Sequence, residues 1–293
     1  MKCVMTREKL KGTGVALVTP FTKDLAVDYD ALRKLLDFVL DGGVNYLVVN
    51  GTTAESVTTT AAEKAEILKV VKQHVNGRVP LVYGLGGNNT QHVLETMNAT
   101  DLDGIAAILS VSPYYNKPSQ QGIYQHFVQV ANASPVPVIL YNVPGRTGSN
   151  MAGDTTVKLA SHENIIGIKE ASGNMEQCMY IAKHKPQDFM LISGDDLLTV
   201  PMVTLGAEGV ISVLANAFPG KFSNMIQLAL DGNFKEAQSL LLSFVDMNPL
   251  MYEEGNPVGV KAVLERFGVC SAQVRLPLVE ASSGLKDRLF KLL

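Results

Sequence analysis

Short apolar runs alternate with longer amphipathic stretches along most of the chain. Eight runs are almost continuously apolar and rich in β-branched residues, namely 15–18, 46–49, 80–83, 105–109, 138–141, 165–169, 190–193 and 209–213. A parallel strand that is covered on both faces has this composition, whereas a half-solvated strand alternates apolar and polar residues. The pattern therefore predicts eight buried parallel strands.

The segments between these runs carry apolar residues at helical spacing. Residues 29–40 and 61–75 each form an apolar stripe, and the second follows Thr60-Ala61-Ala62-Glu63, which has the form of a capping box. Eight strands with intervening helices favour an α/β fold of the (β/α)8 TIM-barrel type over a doubly wound open sheet. No GxGxxG sequence opens a helix after the first strand, which removes the main argument for the open sheet.

The sequence beyond the eighth run predicts helices only. One helix that starts near Phe218 closes the barrel, and residues 234–251, 258–267 and 283–292 are helical in pattern and poor in strand formers. We therefore predict a barrel over residues 1–230 and a C-terminal helical extension, packed on the barrel, over residues 231–293.

Composition and charge exclude several classes of protein. The 293 residues carry a net charge of −3, so neither nucleic acid nor an anionic membrane is expected as a partner. The first ten residues lack the apolar core of a signal peptide, and no apolar stretch reaches the roughly 18 residues of a membrane span. Three scattered cysteines without a CxxC motif indicate neither a disulfide framework nor a zinc site. A cytoplasmic protein is the expectation.

Catalytic groups of such a barrel lie at the C-terminal ends of the strands, where Lys169 ends the sixth run. It is either a strand-end lysine in solvent or paired with Glu170, or a lysine in an apolar site. In an apolar site desolvation lowers its pKa and frees the amine to attack a ketone. Gly167, on the same strand face, is expected to leave room for substrate. Tyr141 ends the adjacent strand about 5 Å away, either as a core residue or as a proton-relaying phenol.

Two loops are candidates for binding carboxylates without a metal. Thr52-Thr53 is either an ordinary turn or a set of N–H and hydroxyl donors for a carboxylate. Arg146 either pairs with a surface acid or binds a second carboxylate through its planar guanidinium. Asp195-Asp196 fits a helix N-terminus at least as well as a magnesium site. The five histidines have no metal-ligand spacing, so no metal is expected.

Four motifs in this order resemble the 4-hydroxy-tetrahydrodipicolinate synthase (dihydrodipicolinate synthase) family. They are Gly-Thr-Thr-Ala-Glu-Ser at 51–56, Ser-Pro-Tyr-Tyr-Asn-Lys-Pro at 112–118, Tyr-Asn-Val-Pro-Gly-Arg-Thr-Gly at 141–148 and Gly-Ile-Lys-Glu-Ala-Ser-Gly at 167–173. The likeness runs from about Gly12 through Pro219. It implies a Schiff-base-forming lyase of lysine (diaminopimelate) biosynthesis that condenses pyruvate with L-aspartate-4-semialdehyde and needs no cofactor.

The resemblance also implies which residues carry the chemistry. Lys169 would form the imine with pyruvate. Tyr141, Thr53 and Tyr115 would form a proton relay, with Tyr115 reaching in from a neighbouring subunit. A tyrosine supplied in trans requires at least a dimer, and the resemblance implies a homotetramer built as a dimer of dimers.

Substrate binding is assigned on the same basis. Thr52 and Thr53 would hold the pyruvate carboxylate, and Arg146 would hold the carboxylate of the semialdehyde. The backbone carbonyls of Gly194 and Ile211 would line the pocket near the lysine.

Two departures from the family pattern carry consequences. Ala54 replaces the usual glycine and would be strained if its φ were positive. Ala61, Lys64 and His92 stand where lysine-inhibited relatives commonly carry two histidines and a glutamate. Losing an acidic group and gaining a cation disfavours a diamino acid effector. Three polar residues of that possible effector pocket remain, namely Ser56, Asn88 and Tyr114. We therefore expect weak or absent inhibition by lysine.

Two alternatives stay open on the residues alone. A sister pyruvate aldolase, such as N-acetylneuraminate lyase or a 2-keto-3-deoxy sugar-acid aldolase, shares the lysine, tyrosine and threonine but acts on a neutral polyol, which Arg146 does not favour. A non-catalytic metabolite-binding barrel would need no such set, and the joint presence of Lys169, Tyr141, Thr53 and Tyr115 argues against it.

Overall fold

The computed structural model describes residues 2–293, with side chains from Thr6 onward, and it confirms the (β/α)8 barrel. Eight strands pair in chain order into a closed parallel barrel. They are β1 Gly12–Ala16, β2 Tyr46–Val49, β3 Leu81–Gly84, β4 Ala107–Val111, β5 Val138–Asn142, β6 Ile165–Glu170, β7 Met190–Ser193 and β8 Gly209–Ser212. Nearly every strand residue is buried, as the continuous apolar runs predict.

Helices follow the strands and continue beyond the last one. The α-helices within residues 2–293 are α1 Lys2–Lys9, α2 Tyr29–Asp41, α3 Ala61–Val75, α4 Thr90–Ala99, α5 Gln120–Ala133, α6 Pro144–Thr147, α7 Gly153–Leu159, α8 Met175–His184, α9 Thr199–Thr204, α10 Pro219–Leu230, α11 Phe234–Leu242, α12 Met247–Leu250, α13 Val258–Arg266 and α14 Ser283–Phe290. The capping box of α3 is present, since the Thr60 hydroxyl accepts from the Glu63 N–H and the Glu63 carboxylate accepts from the Thr60 N–H.

The first strand begins three residues before the predicted run. Its first residues include Gly12 and Gly14, which strand propensity disfavours. A Cβ on Gly14 would lie 2.2 Å from the ring of Tyr46 on β2, so the glycine makes room for that ring. The packing of a neighbouring strand therefore overrides the local propensity.

The predicted helix over residues 234–251 is interrupted. It is divided into α11 and α12, and Pro249 falls within the first turn of α12. A helix running on without a break would need an N–H from Pro249, and its ring would clash with the carbonyl four residues earlier. Ending one helix and starting another places the proline where it is tolerated.

The chain divides into two compact units. One comprises Pro80–Ile211 with the N-terminal segment up to Lys11, and the other comprises Gly12–Val79 and Ser212–Leu293. The proposed boundary between barrel and extension near residue 230 stays a prediction.

Two further sequence expectations concern cysteines and the membrane. Cys178 and Cys270 are free and buried, and the Cys3 side chain lies outside the described residues. Between residues 2 and 293 no helix combines the length and apolar character that a membrane crossing requires.

Candidate active site

Lys169 is buried at the C-terminal end of β6, with only 6% of its surface exposed. Burial disfavours the ammonium and lowers the pKa of Lys169 to about 8, with Arg146 lowering it further and Asp196 opposing the shift. At pH 7 about one molecule in ten then carries the neutral amine, against about one in 3,000 for an ordinary lysine. The site therefore supplies a nucleophilic amine near neutral pH.

Tyr141 lies beside this lysine on the adjacent strand. The two residues pair in the parallel register of β5 and β6, so their side chains project from the same face. The Lys169 Nζ lies 4.4 Å from the centroid of the Tyr141 ring. This contact places a phenol within reach of chemistry at the lysine nitrogen, directly or through one water.

Two glycines shape the surroundings of the lysine, and one of them does so differently from the prediction. A Cβ on Gly167 would lie 2.8 Å from both the Cβ and the carbonyl oxygen of Met190, so Gly167 makes room for β7 and not for substrate. The space beside the lysine comes from Gly194, where a Cβ would lie 3.0 Å from the Lys169 Cε and 2.6 Å from the Ala171 Cβ. Gly194 thus sets the path of the lysine side chain.

Asp196 was not predicted as part of the site. It is buried after β7, and its charge raises the pKa of Lys169. Asp195 has a different role, because its Oδ1 accepts hydrogen bonds from the N–H groups of Leu197 and Leu198, and α9 begins only at Thr199. The sequence feature that could have identified Asp196 as a site residue was the position of the acidic pair at the C-terminal end of a barrel strand.

Arg146 belongs to the short helix α6 after β5. Its side chain is exposed, and among the described side chains, from Thr6 to Leu293, none forms a hydrogen bond or ion pair with its guanidinium. The loop closes at Gly148, whose φ of +74° ends the helix, while the Thr147 hydroxyl donates to the carbonyls of Val143 and Ser149. A free guanidinium on an ordered loop is suited to bidentate binding of a carboxylate.

Tyr115 lies in the loop after β4 and is 88% exposed, so it contacts little of its own chain. Its φ is +76°, and the Asn116 N–H donates to the Tyr114 carbonyl across it, which defines a strained γ-turn. Backbone strain of this kind concentrates at functional sites. The same loop contacts α6 through the Tyr115 N–H and the Thr147 carbonyl.

In the second unit, Thr52 and Thr53 form a 3-10 turn after β2. Thr52 is exposed, whereas Thr53 is buried and its hydroxyl oxygen accepts from the Asn256 amide at 3.0 Å. The expected strain at Ala54 is absent, because the positive φ of +54° falls on Glu55. The alanine therefore fits this turn without a glycine.

A buried ion pair that the sequence did not reveal supports the left-handed residue of this turn. The Glu55 carboxylate accepts from the Lys261 Nζ at 2.6 Å and from the Arg275 N–H at 2.9 Å. The same Nζ donates to the Gln273 carbonyl. Burial lowers the pKa of Lys261, and the charge of Glu55 opposes that shift. Lys261 on α13 and the backbone at Arg275 thus hold the turn that carries Thr52 and Thr53.

The remaining predicted positions are dispersed over both units. Ile211 is buried on β8, and Tyr114 and Asn88 are exposed. Ser56 and Lys64 are half-buried, and burial lowers the pKa of Lys64. Ala61 and His92 are exposed near the N-terminal ends of α3 and α4.

A cavity of about 270 Å³ opens near the N-terminal end of β6. Arg7, His162, Glu163, Ile165 and Asp188 are among the residues that line it. None of the predicted site residues lines this cavity, and it lies at the end of the strand opposite to Lys169.

Comparisons with known proteins agree with the four motifs. The sequence model of the dihydrodipicolinate synthetase family matches residues 9–293. A protein of Cytophaga hutchinsonii named 4-hydroxy-tetrahydrodipicolinate synthase is 56% identical over 94% of this chain and 92% of its own. The crystal structure of the Acinetobacter baumannii dihydrodipicolinate synthase complexed with pyruvate has a TM-score of 0.94 at 36% identity, over 97% of each chain. The Cyanidioschyzon merolae enzyme with lysine bound has a TM-score of 0.92 at 38% identity, also over 97% of each chain. The resemblance is confirmed, and the chain belongs to the dihydrodipicolinate synthetase family.

Proposed function

We propose that this chain is a 4-hydroxy-tetrahydrodipicolinate synthase, which joins pyruvate to L-aspartate-4-semialdehyde through an imine on Lys169. The observation that carries the proposal is the buried Lys169, whose pKa is about 8, packed against the Tyr141 ring. Family membership and the names of the relatives support the choice of substrates. The pyruvate complex of the Acinetobacter baumannii protein supports pyruvate in particular.

The reaction begins with attack of the neutral Lys169 amine on the ketone carbon of pyruvate. The carbinolamine loses water as the imine forms, and Tyr141 donates the proton that lets hydroxide leave. The protonated imine withdraws electrons, so the methyl group loses a proton and an enamine results. Its terminal carbon adds to the aldehyde carbon, and the new oxyanion takes up a proton.

Ring closure releases the enzyme. The amine of the bound semialdehyde attacks the imine carbon, and the Lys169 nitrogen leaves as the free amine. The product is the cyclic hydroxylated compound, and the lysine is ready for another pyruvate. No electrons enter or leave, and one water is released for each condensation.

Substrate binding in this proposal divides between two carboxylates. Thr52 and Thr53, at the start of a 3-10 turn, offer N–H groups and hydroxyls to the pyruvate carboxylate. The exposed guanidinium of Arg146 binds the semialdehyde carboxylate, while the carbonyls of Gly194 and Ile211 face the pyruvate carbon chain. Arg146→Ala should raise KM for the aldehyde, and Tyr141→Phe should lower kcat by a factor of about 10² to 10⁴.

Borohydride trapping tests the catalytic proposal. Reduction in the presence of pyruvate should leave a pyruvate adduct on Lys169 in the intact protein and none in Lys169→Ala. An unmodified wild-type protein would indicate a non-catalytic binder. Turnover of N-acetylneuraminate in preference to the semialdehyde would indicate the sister aldolase instead.

We further propose that Tyr115 completes the site of a neighbouring subunit in a homotetramer built as a dimer of dimers. Its exposure and strained backbone support this role, since both are costs that an ordinary surface loop would not retain. Mixed dimers of Lys169→Ala and Tyr115→Phe test it. A hybrid contains one intact site only if the tyrosine acts in trans, so random mixing should restore about one quarter of wild-type activity. A tyrosine that acts within its own chain would give no restoration.

A further inference from the structure

The residues that follow the two predicted catalytic side chains form a buried pair of their own. Asn142 follows Tyr141 and Glu170 follows Lys169, and the two are paired in the register of β5 and β6. Successive strand residues point to opposite faces, so this pair lies on the outer face of the sheet. Both are buried, with exposures of 0% for Asn142 and 1% for Glu170.

Hydrogen bonds tie this pair to each other and to the following loops. The Asn142 Nδ2 donates to both carboxylate oxygens of Glu170 at 3.1 Å, and the carboxylate also accepts from the Ser172 N–H at 2.8 Å. The Gln177 amide on α8 donates to Glu170 at 3.0 Å. A carboxylate this deeply buried is tolerable because several donors satisfy it.

Asn142 also closes the base of the loop that carries Arg146. Its Oδ1 accepts from the Met151 N–H at 3.0 Å, and its Nδ2 donates to the Asn150 Oδ1 at 2.8 Å. The loop therefore starts at Asn142, and its end at residues 150 and 151 is hydrogen-bonded to the side chain of Asn142. Because no side chain between residues 6 and 293 holds the Arg146 guanidinium, its position depends on the backbone of this closed loop.

We infer that the Asn142–Glu170 pair is a positioning device that aligns Arg146 for the carboxylate of the second substrate. This inference rests on the proposed role of Arg146. Asn142 and Glu170 do not touch substrate; they act through the loop from 143 to 150. Imine formation with pyruvate uses the inward-facing residues of the same strands and should depend on the pair far less.

The test compares Asn142→Ala with Asn164→Ala. Asn164 precedes β6 at its other end and donates to the carbonyls of Ala131, Ser134 and Val136, so it also ties loops together but not near Arg146. Asn142→Ala should raise KM for the semialdehyde at least tenfold and change the pyruvate imine-formation rate less than threefold. Asn164→Ala should lower Tm and leave both kinetic quantities within twofold of wild type.

A double-mutant cycle with Arg146→Met separates positioning from general loosening of the fold. In the Arg146→Met background, Asn142→Ala should raise KM no further, because there is no guanidinium left to misplace. Additive effects would overturn the inference, as would a KM change in Asn164→Ala equal to that in Asn142→Ala. Should Asn142→Ala fold poorly, Glu170→Gln takes its place in the cycle, since its amide would present an N–H group to a donor while keeping the shape.

The inference and the proposed function fail in different ways. Absence of semialdehyde turnover by the wild-type enzyme rejects both. Normal wild-type turnover, combined with a KM in Asn142→Ala that matches wild type, rejects the positioning role alone.

Discussion

The charge state of Lys169 gives the sharpest prediction. With a pKa of about 8, the neutral amine makes up about 1% of the enzyme at pH 6, 9% at pH 7 and half at pH 8. The rate of imine formation with saturating pyruvate should therefore rise nearly tenfold per pH unit below 8 and level off above it. An ordinary exposed lysine would show the rise only near pH 10.

Asp196→Asn perturbs this titration in a defined direction. The carboxylate favours the ammonium and opposes the desolvation that lowers the pKa of Lys169, so its removal should move the midpoint to lower pH. The gain in rate at pH 7 is bounded at about tenfold, since the neutral fraction starts near 9% and cannot exceed one. Arg146→Met removes a cation and should move the midpoint to higher pH.

The assay is a single-turnover experiment from pH 6 to 9, with borohydride quenching and mass spectrometry of the Lys169 adduct. Asp195→Asn is the matched control, because it removes the same charge one residue away and Asp195 does not shift the pKa of Lys169. A midpoint near 10 in the wild-type protein would contradict the burial argument. An upward shift in Asp196→Asn would contradict the electrostatic one.

Four further outcomes follow from the same structure. Lys169→Met should stabilise the fold at pH 7 by about 3 kcal/mol, because the lowered pKa of Lys169 means that the buried ammonium destabilises the folded state below pH 8. This destabilisation vanishes above pH 10.5, where the lysine is neutral in both states, so urea unfolding at pH 7 and pH 10.5 measures it. Equal stabilities of the two proteins at pH 7 would refute it. Gly194→Ala should slow imine formation at least tenfold, since the added Cβ crowds the Lys169 side chain, and an unchanged single-turnover rate would rule this out. Burial lowers the pKa of His126 to about 4, so the unfolded state binds a proton more readily than the folded state as the pH falls. The free energy of unfolding should therefore fall by about 2 kcal/mol between pH 7.5 and 5. Urea titrations should show no such loss in His126→Gln. Lysine should inhibit weakly or not at all, because the positions 61, 64 and 92 lack the acid that inhibited relatives commonly carry there and gain a cation at Lys64. A micromolar inhibition constant in initial-rate assays would refute this.

Local sequence determined the elements and the candidate catalysts of this protein. A buried parallel strand must be apolar throughout, so the runs from β2 to β8 stand out within a few residues of their observed bounds. The capping box of α3 is equally local, since both of its hydrogen bonds join residues three apart. Because barrel chemistry gathers at strand ends, Lys169 and Tyr141 could be proposed as candidates from their positions in the strands, while their roles were implied by the family resemblance.

Tertiary structure alone decided where space, charge and support lie around those residues. Gly14, Gly167 and Gly194 look alike in sequence, yet each makes room for a different side chain of a neighbouring strand. Asp196 shifts the pKa of a lysine on another strand, and Asn142, which closes the loop of Arg146, donates to a carboxylate 28 residues away. These relations depend on contacts between segments that are distant in the chain, and hydrophobic periodicity does not encode such contacts. Periodicity indicates only which face of a helix or strand is buried, whereas the tertiary fold determines which residues pack against that face.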